Sequence, residues 1–307
     1  MSKSPEQLPS DELRSAISEF IRGYSIEATT YDKDKLQAYP DFIPEGTCIY
    51  VAHVPGSEIT DVVDMAGRLR ELGYEPVPHV VPRRLRSQSE LESALEGLRD
   101  RNIDHILMIA GDVPTAEGPF TSTLDIIGTG ILEKFGFKTL GVSGHPEGNA
   151  VIDDKTLREA LDEKARFAAE SSLDVHIVTQ FGFDNTTIPR WEKEISERGI
   201  TLPIHVGMAG PTTLKRLIDL SVRCGVGASL RMLTRRTSAV ANMLKVSGPD
   251  RMITAYAAYI KNNPATRVER AHFFALGGVE KTARWANAVV EGRFKLNKDA
   301  TAFEVLA

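Results

Sequence analysis

Residues Thr47–Val81 read TCIYVAHVPGSEITDVVDMAGRLRELGYEPVPHVV and contain the repeating unit of the fold. Two short apolar runs, Thr47–His53 and Glu75–Val81, flank the stretch Ile59–Leu72, whose apolar residues recur at helical spacing. A strand, a helix and a second strand in this order are typical of parallel pairing, because the helix returns the chain to the edge where it started. The segment therefore predicts a β-α-β unit.

The same alternation extends along most of the chain. Further strand candidates are Tyr24–Thr29, Ile103–Gly111, Lys138–Ser143, Asp174–Gln180, Pro203–Gly207 and His272–Leu276. Further helix candidates are Ser87–Arg101, Asp125–Phe135, Thr156–Ser171, Thr212–Cys224 and Val279–Val290. Eight strands with helices between them predict an α/β fold, and we expect a closed (β/α)8 TIM barrel. An open doubly wound sheet would produce a similar pattern and is the alternative.

The 307 residues show no linker, so we expect one barrel domain over residues 1–307. An extra N-terminal helix is predicted to begin with Ser10 as its cap and to end at Gly23. Residues 1–9 and about 295–307 are expected to be peripheral or flexible. The stretch between Val226 and Asn263 is the least regular and could hold an additional helix pair.

Composition argues against several classes of function. The formal net charge of −5 disfavours binding to nucleic acid or to an anionic membrane, which both require clustered basic residues. The sequence has no signal-peptide pattern, no apolar run long enough to span a membrane and no metal-binding motif. Two cysteines, Cys48 and Cys224, are expected to be buried thiols. A cytoplasmic enzyme without a metal is the expectation.

Polar residues follow or interrupt several predicted strands, at the end of a barrel where active sites lie. Glu27 lies within the first strand, and a carboxylate there indicates either an ion pair or a catalytic group. Asp112 ends the fourth strand and could also be a turn residue, and Gln180 ends the sixth and could also cap a helix. His79 and His145 are placed at the same rim, although isolated histidines are usually structural. Together these residues predict an active site.

These segments resemble the methylenetetrahydrofolate reductase family, whose members are flavin-dependent barrels. The motifs that carry the resemblance are Ser25-Ile26-Glu27, Pro78-His79, Ala110-Gly111-Asp112-Val113-Pro114, His145-Pro146-Glu147-Gly148, Thr179-Gln180-Phe181 with Phe183-Asp184, Gly207-Met208 and His272-Phe273-Phe274-Ala275-Leu276. The match covers about Tyr24 to Val290, and its order and spacing are more specific than any single motif.

The resemblance implies a role for each matching residue. Glu27 would be the general acid that protonates a folate nitrogen, and Asp112 the carboxylate that stabilises the resulting cation. Substrate binding would involve Gln180, Phe181 and Arg231. Residues implied to bind FAD are His53, His79, Ala110, Gly111, Asp112, His145, Asn149 and Lys164. Hydride would pass from a reduced nicotinamide, NADH or NADPH, to FAD and then to the folate.

This chain departs from the family pattern at residues expected to hold the flavin. Ala110 replaces an arginine that helps to bind the cofactor's phosphates, His145 replaces a tyrosine, and Asn149 replaces a histidine. The phenylalanine that usually stacks on the substrate is also missing from the loop after Val226. Two clusters, Arg83/Arg84/Arg86 and Arg231/Arg235/Arg236, could compensate by binding phosphate or carboxylate groups, or could be solvated loop charge. We therefore expect FAD to be bound loosely or to be absent.

Two other functions are compatible with the residues. A pterin-dependent barrel could transfer a methyl or other one-carbon group without redox chemistry, or a relative could bind folate without catalysis. In each case the partner is a small-molecule folate, and formation of a homo-oligomer is left open.

Overall fold

A computed structural model describes residues 8–111, 113, 115–149, 152–223 and 246–306, with only the backbone for 220–223. The eight barrel strands are β1 (Ser25–Thr29), β2 (Cys48–Ala52), β3 (Glu75–Val80), β4 (His105–Met108), β5 (Thr139–Gly144), β6 (Asp174–Thr179), β7 (Ile204–Ala209) and β8 (Val268–Phe274). Their order around the sheet is β1-β8-β7-β6-β5-β4-β3-β2, and the sheet closes on itself. The predicted TIM barrel is confirmed, and the open-sheet alternative is wrong.

The described helices include those predicted from amphipathic stretches, together with a helix over Thr187–Glu197 that was not predicted. They are α1 (Ser10–Ile21), α2 (Ile59–Glu71), α3 (Gln88–Arg99), α4 (Leu124–Ile127), α5 (Ile131–Lys134), α6 (Asp154–Glu170), α7 (Thr187–Glu197), α8 (Leu214–Arg223), α9 (Asp250–Asn262) and α10 (Val279–Val290). In addition, 3-10 helices cover Thr30–Asp41 and Pro82–Arg84. None of the helices in the described part of the chain has the length and apolar character needed to cross a membrane.

The chain divides into two compact units. Among the described residues, unit 1 comprises 8–24, 146–149, 179–223 and 246–306, and unit 2 comprises 25–111, 113, 115–145 and 152–178. In unit 2, a buried apolar cluster is formed by Cys48, Tyr50, Val77, Leu107 and Val178, which come from four strands. These side chains occupy alternate strand positions, as expected for residues that face the interior of a barrel.

In unit 1, α1 packs on α9 and α10. Its predicted apolar face is confirmed, since Leu13, Ile17 and Phe20 are buried. Ser10 is the first helical residue, with Pro9 at the cap position and no side-chain cap bond, so the predicted Ser10 cap is wrong. Gly23 has a φ of +72°, a left-handed conformation that glycine adopts without strain and that ends the helix as predicted.

One predicted helix and one predicted strand differ markedly in their bounds from the structure. The helix predicted over Asp125–Phe135 is split into α4 and α5, because the intervening residues include Gly128 and Gly130, and Gly130 has a φ of +73°. The last barrel strand begins at Val268, four residues before the predicted start at His272. The start of this strand was missed because charged residues at 269 and 270 interrupt the apolar run on which the prediction was based.

Other predicted segments are only partly described. Thr212–Thr213 pairs antiparallel with Val246–Ser247, so the helix predicted from Thr212 begins at Leu214. Of the irregular stretch between Val226 and Asn263, the structure describes α9, while residues 226–245 lie outside the described residues. Cys224 also lies outside them. Near the C-terminus, Phe294–Leu296 and Phe303–Val305 form an antiparallel pair.

Glu192 on α7 is expected to stabilise unit 1 strongly. Its side chain is buried and accepts hydrogen bonds from the hydroxyl of Tyr259 (2.7 Å), the hydroxyl of Thr266 (2.8 Å) and the backbone N–H of Arg267. Glu192→Ala should lower the free energy of unfolding by about 3 kcal/mol, because several donors lose their acceptor. Urea denaturation measures this loss. The exposed Glu194 on the same helix is the matched control, and an equal effect of Glu194→Ala would contradict the prediction.

Candidate functional site

Glu27 lies in the middle of β1, where strand alternation separates it from the buried neighbours Ile26 and Ala28. Its side chain is 18% exposed, and its Oε2 atom is 3.7 Å from Nε2 of His79 on β3. Burial raises the pKa of Glu27 from 4.5 to about 8. Burial also lowers the pKa of His79 to about 3, with a smaller contribution from His53.

Both groups are therefore uncharged at neutral pH. An imidazolium beside Glu27 would favour the carboxylate, but neutral His79 offers no such charge. The structure thus brings together two of the predicted site residues and gives Glu27 the protonation state that a general acid requires. Of the two readings of Glu27 left open by the sequence, an ion pair is disfavoured.

Three further polar aromatic side chains lie near this pair in unit 2 and were not among the predicted site residues. The hydroxyl of Tyr50 is 3.1 Å from Nε2 of His176, and the rings of His105 and His176 are 5.1 Å apart. The Tyr50 and His79 rings are 6.2 Å apart. The sequence signal that could have identified them is a polar side chain between apolar neighbours in a strand, such as His176 in DVHIVT of β6.

Lys164 on α6 is buried, which is unusual for lysine. Its ammonium donates a 3.3 Å hydrogen bond to the hydroxyl of Ser143 on β5, and burial lowers its pKa to about 8. His145, just after β5, has a pKa lowered to about 4 by burial and then by the charge of Lys164. A buried cation beside a neutral imidazole can bind an anionic group of a ligand.

The other predicted cofactor residues of unit 2 are placed as follows. His53 is buried, its Nε2 atom is 3.0 Å from the carbonyl of Ser57, and its Nδ1 atom has no hydrogen-bond partner among the described residues. Burial lowers the pKa of His53, so its ring is neutral. Gly111 has a φ of +100°, and a Cβ atom there would overlap Val81, so this turn requires glycine. Ala110 is half-buried.

Asp112 and Arg231 lie outside the described residues, as do Arg235 and Arg236. Asn149 is half-buried in unit 1.

Contacts within the protein account for donors of the first arginine cluster. The guanidinium of Arg83 donates to the carbonyl of Val113 (2.8 and 3.1 Å) and to that of Thr121 (3.4 Å). Arg86 pairs with Glu58 and Glu90. Arg84 is buried. Arg83 therefore binds and stabilises the loop after β4. Because these donors are already used within the protein, the contacts disfavour the hypothesis that the cluster binds a diphosphate.

In unit 1, Gln180 follows β6 and is half-buried. It lines a small pocket together with Pro146, Glu147, Gly182, Asp184, Thr187, Ile188, Gly207, Met252 and Tyr256. Phe181 is buried and packs edge-on against the rings of Phe183 (5.8 Å between centroids) and Phe274 (5.4 Å). Phe181 therefore supports the aromatic packing under the loop, while Gln180 lines the pocket.

Comparison with known proteins finds one matching family and solved structures of similar fold. The family model described as methylenetetrahydrofolate reductase matches residues 52–286. One solved structure of similar fold is described as an uncharacterized protein from Clostridium thermocellum that binds two copies of 5-methyl-5,6,7,8-tetrahydrofolic acid. The TM-score is 0.56 at 10% sequence identity, and the match covers 87% of this chain and 92% of that chain. At this identity the similarity concerns the fold.

Proposed function

The chain belongs to the methylenetetrahydrofolate reductase family. We propose that it reduces 5,10-methylenetetrahydrofolate to 5-methyltetrahydrofolate with a reduced nicotinamide. The observation that carries the proposal is the buried Glu27 carboxyl, whose pKa of about 8 keeps it protonated at neutral pH. The barrel of similar fold is described as binding 5-methyl-5,6,7,8-tetrahydrofolic acid, which supports a folate as the ligand.

The substrate needs an acid before it can accept hydride. Its methylene carbon is bonded to two nitrogens and is only weakly electrophilic. When Glu27 donates its proton to one nitrogen, that carbon–nitrogen bond breaks and an iminium remains on the other. Hydride addition to the iminium carbon forms the methyl group. Glu27 is left as a carboxylate and must regain a proton before the next turnover.

The pterin is assigned to Gln180, whose amide offers both a donor and an acceptor to a flat heterocycle. The resemblance adds Asp112, whose negative charge would stabilise the iminium. Both assignments concern binding and charge, whereas proton transfer is assigned to Glu27 alone. His79 contributes by remaining neutral beside Glu27, because a charged imidazole would lower the pKa of the acid.

FAD is the cofactor that the family implies, and features of unit 2 fit it. The buried Lys164 ammonium has a hydroxyl as its hydrogen-bond acceptor and can pair with a phosphate. The buried Nδ1 atom of His53 has no hydrogen-bond partner among the described residues, so it can receive a polar ligand atom. We assign FAD binding to His53, His79, Ala110, Gly111, Asp112, His145, Asn149 and Lys164. When bound, FAD supplies a carrier for hydride between the nicotinamide and the folate.

FAD is expected to bind loosely, and Lys164→Met should weaken it further. Ala110 provides no charge-assisted bond to the diphosphate, which makes Lys164 the more important cation. Loss of a hydrogen bond to a charged group costs about 1.5–3 kcal/mol, so the dissociation constant should rise about ten- to a hundredfold. A flavin fluorescence titration measures the dissociation constant for FAD in the wild type and in Lys164→Met. Lys155→Met, on the exposed face of the same helix, is the control. Equal affinity of Lys164→Met and the wild type would remove Lys164 from the cofactor site.

The experiment that tests the function combines the purified protein with methylenetetrahydrofolate, FAD and either NADH or NADPH. We expect 5-methyltetrahydrofolate to form with equimolar oxidation of the nicotinamide. Transfer of the one-carbon group to an acceptor without nicotinamide oxidation would favour the non-redox transferase. Folate binding without turnover under either condition would favour a non-catalytic relative. Full activity in flavin-free protein would indicate direct hydride transfer from nicotinamide to folate.

A further inference from the structure

The loop that carries Gln180 is fixed by several contacts within unit 1. We define the β6–α7 loop as residues 180–186. At its start, the buried ring of Phe181 packs against Phe274. At its end, Oδ1 of Asp184 accepts hydrogen bonds from the backbone N–H (2.9 Å) and the hydroxyl (2.8 Å) of Thr186. The Phe181 contact attaches the start of the loop to β8, the Asp184 contacts are local to the loop, and the middle of the loop contacts another residue.

That residue is Glu147, which belongs to the segment after β5. Its Oε1 atom accepts a 3.4 Å hydrogen bond from the backbone N–H of Phe183. The carboxylate lies directly over Gly182, so close that a Cβ atom at position 182 would overlap Oε1. A half-buried carboxylate therefore occupies the space beside the middle of the loop, and glycine at 182 makes the approach possible.

Tyr256 on α9 borders the same region. Its hydroxyl donates a 3.4 Å hydrogen bond to the carbonyl of Asp184. Burial raises the pKa of Tyr256, and the charges of Glu147 and Asp184 raise it further, so the hydroxyl remains a donor. Glu147, Asp184, Tyr256 and Gln180 all line the small pocket of unit 1. Glu147 therefore contacts the β6–α7 loop and lines the same pocket as Gln180.

We propose that Glu147 is a positioning residue for folate recognition, holding the middle of the β6–α7 loop so that the Gln180 amide is presented to the pterin. This inference rests on the proposed function. A recognition group loses much of its effect when it is displaced by more than about 0.5 Å, so the residue that fixes its loop controls affinity. Glu147 has no part in proton transfer, which Glu27 provides. Its loss should therefore weaken folate binding and leave the pH dependence of the chemical step unchanged.

The test compares direct binding of 5-methyltetrahydrofolate by calorimetry for the wild type, three variants at the loop and one control variant. Glu147→Ala should raise the dissociation constant about tenfold, because the loop loses its acceptor. Glu147→Gln keeps an oxygen at the same distance and should stay within about threefold of the wild type. Gly182→Ala retains the Glu147 carboxylate but forces it away from the loop, and should resemble Glu147→Ala. Glu163→Ala, at an exposed glutamate of α6, is the control.

Steady-state kinetics distinguish positioning from a general structural effect. For Glu147→Ala, the KM for methylenetetrahydrofolate should rise about tenfold, kcat should change less than threefold, and the pH midpoint of kcat should not move. Wild-type affinity in both Glu147→Ala and Gly182→Ala would overturn the inference. If Glu147→Ala does not fold, the result for Gly182→Ala decides. Absence of 5-methyltetrahydrofolate binding by the wild type would overturn the proposed function, and the inference with it.

Discussion

Glu27→Gln is expected to lower the rate of folate reduction by about a hundred- to ten-thousandfold, the usual contribution of a general acid. Glutamine has nearly the same volume but has no proton to donate, so the substrate is not converted to its iminium. The wild type should also lose activity as the pH rises through about 8, because Glu27 then becomes a carboxylate. Both effects are measured by running the reaction at several pH values between 6 and 9 and quantifying 5-methyltetrahydrofolate by chromatography.

The same variant provides an internal comparison. Oxidation of the nicotinamide with FAD as acceptor requires no protonated folate, so Glu27→Gln should retain it within about threefold. Glu71→Gln, at an exposed position on α2, is the matched control for removal of a carboxylate and should behave as the wild type. Near-normal folate reduction by Glu27→Gln would show that another group supplies the proton. Equal loss of both half-reactions would show that Glu27 supports the cofactor or the fold.

The stability of the wild type is expected to fall with pH in a way that Glu27→Gln does not share. Folding raises the pKa of Glu27 from 4.5 to about 8, so the folded protein keeps a proton that the unfolded chain releases at lower pH. The resulting stabilisation is complete below pH 4.5 and is lost as the pH rises to about 8. Because each pH unit in this window corresponds to about 1.4 kcal/mol, the total is on the order of 5 kcal/mol.

The measurement is urea denaturation of the wild type and Glu27→Gln at several pH values from 4.5 to 8.5. The difference in the free energy of unfolding, wild type minus variant, should decrease steadily with pH and become constant above pH 8. Comparison with the variant cancels the titration of all other groups that the two proteins share. A difference independent of pH would show that Glu27 is ionised in the folded protein, and its role as a proton donor at neutral pH would then be wrong.

The positions of most elements could be predicted from the sequence because the signals are local. Strand β2 and helix α2 agree with the runs Thr47–His53 and Ile59–Leu72 to within one or two residues. Where local signals conflict, the prediction was wrong. The apolar period across Asp125–Phe135 continues through Gly128 and Gly130, and the backbone freedom of glycine allowed the helix to break. Charged residues near the start of β8 interrupt its apolar run, so the first residues of this strand were not predicted.

The candidate site was only partly accessible from the sequence. Glu27 could be selected because a carboxylate within a buried strand is costly without a function. Tyr50, His105 and His176 were not selected, since single polar residues in apolar strands do not reveal that they will meet. For Arg83 the sequence left open a ligand for phosphate or carboxylate groups and a solvated loop charge, whereas its guanidinium binds backbone carbonyls of the loop after β4. The partners of a long side chain depend on loops that no local pattern describes.

The sequence by itself determined the alternation of strands and helices and the placement of Glu27 inside β1, because periods of 2 and 3.6 residues record which face of each element is buried. Only the tertiary structure decided that the sheet closes, that neutral His79 lies 3.7 Å from Glu27, and that burial raises the pKa of this carboxyl to about 8. It also decided that Glu147 meets Phe183 across 36 residues of chain. Strand register and packing bring such distant residues together, and the protonation state of a buried group depends on the solvent and charge that this packing leaves around it.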